Sequence, residues 1–156
     1  MKPWEIIRII VFSVIGAAIM FLGQRLIYEN QIIPIQKVPL DTWLGTDYTT
    51  ASLIMFAVCM FSTILWCVLG ATSKSTGSSI GQWMLIWWLL GLFPIATIGF
   101  TVFYINRSDE AQFSLMGFFL LDTIWLYWLS TVTSSPEAIK YIPPGAFFIR
   151  HKLMGD

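Results

Sequence analysis

The stretch FSLMGFFLLDTIWLYWLSTV, residues 113–132, decides how this chain reads: it is apolar almost throughout and carries one acidic residue, Asp122, near its middle. Twenty residues of helix rise about 30 Å, the thickness of a bilayer's hydrocarbon core. Three further stretches, from Trp4 to Tyr28, Thr50 to Gly70 and Trp83 to Tyr104, are equally apolar and as long. The predicted fold is therefore all-α: a four-transmembrane-helix bundle with short loops and an interfacial C-terminal tail over residues 133–156. The whole chain, 1–156, reads as a single integral membrane domain.

Composition agrees. Hydrophobic residues make up 56% and charged residues 12%, and mean hydropathy is +0.72, far from a water-soluble domain. Once four spans are counted, no length remains for a soluble domain with its own core. Nine basic and nine acidic residues cancel and form no basic block, which argues against a nucleic-acid partner.

Four spans put the N-terminus, the 71–82 connection and the tail on one side. That side carries Lys2, Arg8, Lys74, Lys140, Arg150 and Lys152, against Arg25, Lys37 and Arg107 on the other. The basic excess predicts cytoplasmic termini. In the first outer loop Pro34 and Pro39 forbid a continuous helix, so that loop is expected to lie along the interface with Trp43 and Tyr48 at headgroup depth. In the tail, Pro143-Pro144-Gly145 breaks the chain. Beyond it Phe147 and Phe148 are expected to enter the interface, with Arg150 and Lys152 reaching lipid phosphates or a partner.

A bare charge at the middle of a bilayer costs at least a few kcal/mol, so Asp122 needs a partner or a proton. Pro94, midway along the third stretch, leaves the Leu90 carbonyl without its usual donor. Helices running antiparallel would bring Gly16, Ser62, Thr63, Pro94 and Asp122 to similar depth. The candidate intramembrane polar site is therefore Asp122 with Pro94, Thr97, Ser62 and Thr63. Close helix seams, which in lipid need small residues, are expected at Ser13, Gly16, Ala17 and Gly23 in the first span. In the second they are expected at Ser52, Cys59, Thr63 and Gly70, and in the third at Gly91 and Gly99.

Aromatic residues are 16% of the chain, and Trp83, Trp87, Trp88, Trp125 and Trp128 gather toward the cytoplasmic end. They read first as an interfacial belt touching lipid, and otherwise as a surface for a partner or a flat ligand such as a pigment. Catalytic chemistry is sparse: His151 is the one histidine, in the tail, which excludes a bis-histidine haem or a His-based metal site within one chain. No Cys-x-x-Cys, phosphate-binding loop or Gly-x-Ser-x-Gly occurs either. Bound lipid or pigment remains open as a cofactor, and the chain is not expected to be an enzyme. Two functions survive. The favoured one is an accessory or scaffold subunit of a larger membrane complex, bioenergetic or otherwise, whose partners are other integral membrane subunits, further copies of the chain, and lipid. The alternative is a small oligomeric channel or carrier with Asp122 as its ion or proton site.

Overall fold

The computed structural model describes residues 3–72, 80–134 and 143–146. Four helices in it are long and apolar enough to cross a membrane: α1 (Pro3–Glu29), α2 (Leu40–Thr72), α3 (Gly81–Ile105) and α4 (Asp109–Ser134). No strand occurs among the described residues, and the all-helical bundle read from hydropathy stands.

The largest boundary change is at α2, which begins ten residues before the apolar stretch does. Pro39 takes an extended conformation (φ −55°, ψ 120°) and its carbonyl accepts the Trp43 amide. A proline at the start of a helix loses nothing by lacking an N–H, since the first amides are unpaired in any case. It therefore starts the helix that it was expected to exclude. The consequence is a correction for Trp43 and Tyr48. Carried on the inward stripe of α2, they are 0% and 1% exposed and pack edge-on or tilted around Tyr28 with ring centroids 4.9 and 5.7 Å away.

At the end of α1, Gln31 stands at φ 52°. Its amide bonds the Tyr28 carbonyl and the Ile32 amide bonds that of Ile27, the paired closure that ends many helices, here with glutamine where glycine is usual. The connection from α3 to α4 closes on Asn106. Its Oδ1 accepts the Trp43 indole N–H at 2.8 Å and the Ser108 amide at 3.1 Å, while its Nδ2 donates to the Ser108 carbonyl. Glu110 reaches back to accept the Gln36 amide at 2.6 Å, which ties the first outer loop to the base of α4.

α4 is the hub of the bundle and packs on all three other spans, while α1 leans chiefly on α4. Half of the most apolar window of α4 is buried, against 11% for α1. Lipid gains nothing from covering one apolar surface with another, so α1 must be held by close approach and hydrogen bonds. Close approach occurs at Gly16, where an added Cβ would lie 2.3 Å from Leu126 Cδ2. Ser52, Cys59, Thr63 and Gly70 are buried along α2, and Gly91 faces the Tyr127 ring. Gly23 and Gly99 are not seams. A Cβ at Gly99 would meet nothing within 4 Å, and at Gly23 only its own helix.

Each span contains one π-helical turn: Ile19–Gln24, Leu44–Tyr48, Thr101–Ile105 and Ile124–Leu129. In α1 the buried residues Gly16, Met20, Gln24 and Tyr28 recur every fourth position. In a pure α-helix three such steps would drift about 120° around the axis. A π turn holds one residue more and cancels about 100° of that drift, which keeps all four on one face.

Of the tail, Pro143–Ala146 form a turn closed by the Ala146 amide on the Pro143 carbonyl at 3.0 Å. Gly145 stands at φ 86°, the positive value that the third position of a type II turn requires, with a proline before it as is common in such turns. The Pro144 carbonyl accepts the Trp128 indole N–H at 3.0 Å. The expected break is thus a turn fastened to α4. Phe147, Phe148, Arg150 and Lys152 lie outside the described residues.

Candidate functional site

Asp122 sits on the inward face of α4, 2% exposed, and Gln24, 4% exposed, faces it from α1. The Gln24 amide nitrogen donates to both carboxyl oxygens, at 2.8 Å to Oδ1 and 2.9 Å to Oδ2. Behind it the Tyr48 hydroxyl from α2 donates to the Met20 carbonyl at 2.5 Å and lies 3.4 Å from Gln24 Oε1. Three spans thus meet at one polar point, and two of its side chains end π turns. Met20, Met55, Cys59, Leu115 and Phe119, all fully buried, belong with Tyr48 to the core cluster at this level of the bundle.

Asp122 bonds none of the partners expected for it. Thr97 donates to Phe93 on its own helix at 2.8 Å. Thr63 donates to the Leu126 carbonyl at 2.7 Å. The Ser62 hydroxyl is buried and makes no hydrogen bond, and Pro94 is buried within α3. The depths explain the difference. Gly16, Thr63 and Gly91 meet α4 at Leu126 and Tyr127, one turn along from Asp122, whose own level on α1 is that of Gln24.

The tryptophans also require correction. Trp83 and Trp87 are each 4% exposed and form an interior cluster. Trp83 packs edge-on against Trp66, and Trp87 stacks on Tyr127 at 5.5 Å. Trp87 donates to Thr131 Oγ1 at 3.0 Å, and the Tyr127 hydroxyl donates to the Trp87 carbonyl. Trp125 donates to the Phe12 carbonyl at 3.1 Å. Of the five, Trp88 alone is exposed, at 52%. Indole N–H groups here join helices, because inside a bilayer each must find an acceptor within the protein.

Comparison with protein-family models, with curated proteins and with solved structures finds no match to this chain. Its chemistry must therefore be read from its own side chains.

Further ties repeat the pattern of Asp122 and Gln24. Tyr28 and Ser114 share a hydrogen bond of 2.7 Å between α1 and α4, and at the opposite end Arg8 donates to the Thr133 carbonyl at 3.0 Å. Among the described residues no three His, Cys, Asp or Glu side chains are grouped as a metal would need. On the outer flank of α3 an apolar cleft of ≈ 380 Å³ is lined by Leu89, Leu92, Phe93 and Ala96, with none of the tryptophans in its wall.

Proposed function

We propose that this chain is a non-catalytic scaffold subunit of the membrane, a closed module whose interior hydrogen bonds fix four helices so that their outer faces can hold other integral membrane subunits, copies of itself, or lipid. The observation that carries this reading is the state of Asp122. Both its oxygens are occupied by Gln24, and the two side chains are 2% and 4% exposed, which is how a structural tie is built. Large apolar residues such as Ile10, Val14, Leu22 and Leu26 on α1 and Leu85, Leu92 and Phe103 on α3 point outward.

Native mass spectrometry from mild detergent should find the chain in assemblies, and purified protein in vesicles should pass neither protons nor alkali ions above the empty-vesicle rate. A second reading, a channel or carrier working through Asp122, is favoured by one feature. Tyr28 with Ser114, then Tyr48 with Gln24, then Cys59 and Thr123 place polar groups on both sides of Asp122 within the bundle. Flux that disappears in Asp122→Asn would establish that reading and end the first.

The orientation that fits the basic residues places both termini in the cytoplasm. Cysteines introduced at Ser75 and Asp109 should react with an impermeant thiol reagent from opposite sides, with Asp109 labelled in intact cells. Labelling at Ser75 instead inverts the topology.

A further inference from the structure

The Tyr48 hydroxyl has one hydrogen and two acceptors in reach. The Met20 carbonyl at 2.5 Å takes it, so Gln24 Oε1, 3.4 Å away, faces another oxygen without a good donor. The Ser52 hydroxyl, fully buried, lies beside Tyr48 and has a hydrogen to give only to the Tyr48 oxygen, not to Gln24. Buried acceptors left this way are costly, and the remedy is local. A half-turn of the Gln24 amide exchanges its oxygen and nitrogen at almost no change in shape. Its N–H would then donate to the Tyr48 oxygen, which keeps its own bond to Met20. Its oxygen would face Asp122, and that pairing closes only if the carboxyl has a hydrogen to give. Two hydrogen-bond patterns therefore exist at this point and differ by one proton: without it Gln24 Oε1 keeps only the 3.4 Å approach of the Tyr48 hydroxyl, and with it Gln24 is paired on both sides.

We propose that Asp122, Gln24 and Tyr48 form a proton-binding site in which uptake of one proton by the Asp122 carboxyl reverses the Gln24 amide. The proton comes from the aqueous phase and adds to a carboxyl oxygen. No covalent bond breaks, and the site passes from one negative charge to none. The groups around it leave Asp122 as the titrating member. α1 contributes Arg25, engaged by Glu29 at 2.6 Å, and Tyr28, held by Ser114. α2 contributes Tyr48 and Cys59. The buried residues of α3 in the same core cluster, Ile98 and Val102, do not titrate. The proposal does not rest on the scaffold reading, since a closed scaffold and a conducting protein could both carry such a site.

The test uses the full chain, ¹⁵N-labelled at glutamine side chains, in phosphatidylcholine vesicles. Solid-state NMR follows the Gln24 amide, assigned by its loss in Gln24→Asn, and infrared spectroscopy follows the carboxylic acid carbonyl band. As pH falls the band should appear and the Gln24 signal should move with the same midpoint. In Asp122→Asn the part of the band due to Asp122, read by difference from the wild type because the chain has nine acidic residues, should be missing and the Gln24 signal constant. A Gln24 signal that stays constant in the wild type over the range where the fold persists overturns the proposal. So does one that moves equally in Asp122→Asn.

Discussion

Gly16→Leu is expected to separate α1 from α4 and to cost about 3 kcal/mol, the upper range for overfilling a close-packed contact. The Cβ alone would stand 2.3 Å from Leu126 Cδ2, 3.0 Å from Leu126 Cγ and 3.2 Å from Trp125 Cδ1. Leu126 cannot withdraw easily, being fully buried with its carbonyl held by Thr63. Displacing Trp125 would also break its bond to the Phe12 carbonyl. Gly23→Leu is the matched control. It lies on the same helix with nothing beyond its own backbone near its Cβ, so it should change stability by under about 0.5 kcal/mol. Unfolding titrations in bicelles would compare the two, and equal losses would show that α1 does not sit as described.

Asp122→Leu should cost about 2 kcal/mol, because it leaves the buried Gln24 amide without its acceptors. Asp122→Asn keeps one carbonyl oxygen for Gln24 and should stay within about 0.5 kcal/mol of the wild type. The informative variant is the double one. With Gln24→Leu added to Asp122→Leu, no polar group is stranded, and the pair should be more stable than Asp122→Leu alone, since removing both partners costs less than orphaning one. If the second substitution only adds to the loss, Gln24 is held by something other than Asp122.

These two positions show how far the sequence could be read. The four spans were plain, because a bilayer demands long apolar runs and little else in the chain resembles them. Asp122 was equally plain as the residue in need of a partner, and Gly16 as a contact. Gln24 was missed for a geometric reason. Counting from Gly16 at 3.6 residues per turn brings position 23 back to the same face, so Gly23 was taken for the seam. The π turn at Ile19–Gln24 shifts the count by one and puts Gln24 there instead. No residue type announces such a turn, so its effect on facing could not be anticipated. The interior tryptophans were misplaced for a related reason. An indole suits both a headgroup and a buried carbonyl, and only the positions of Thr131 and Phe12 decide between them.

The π turns also bear on which changes in chain length these spans can absorb. A turn of this kind is equivalent to a single-residue insertion taken up without breaking the helix. Deleting one residue within 19–24 would let α1 close as a plain α-helix and leave Tyr28 near its present facing. The same deletion at 9–14 would swing every residue between it and the turn by about 100°. Each span thus has one short window where losing a codon is tolerable and long flanks where it is not, and in α1 that window ends at the residue that holds Asp122.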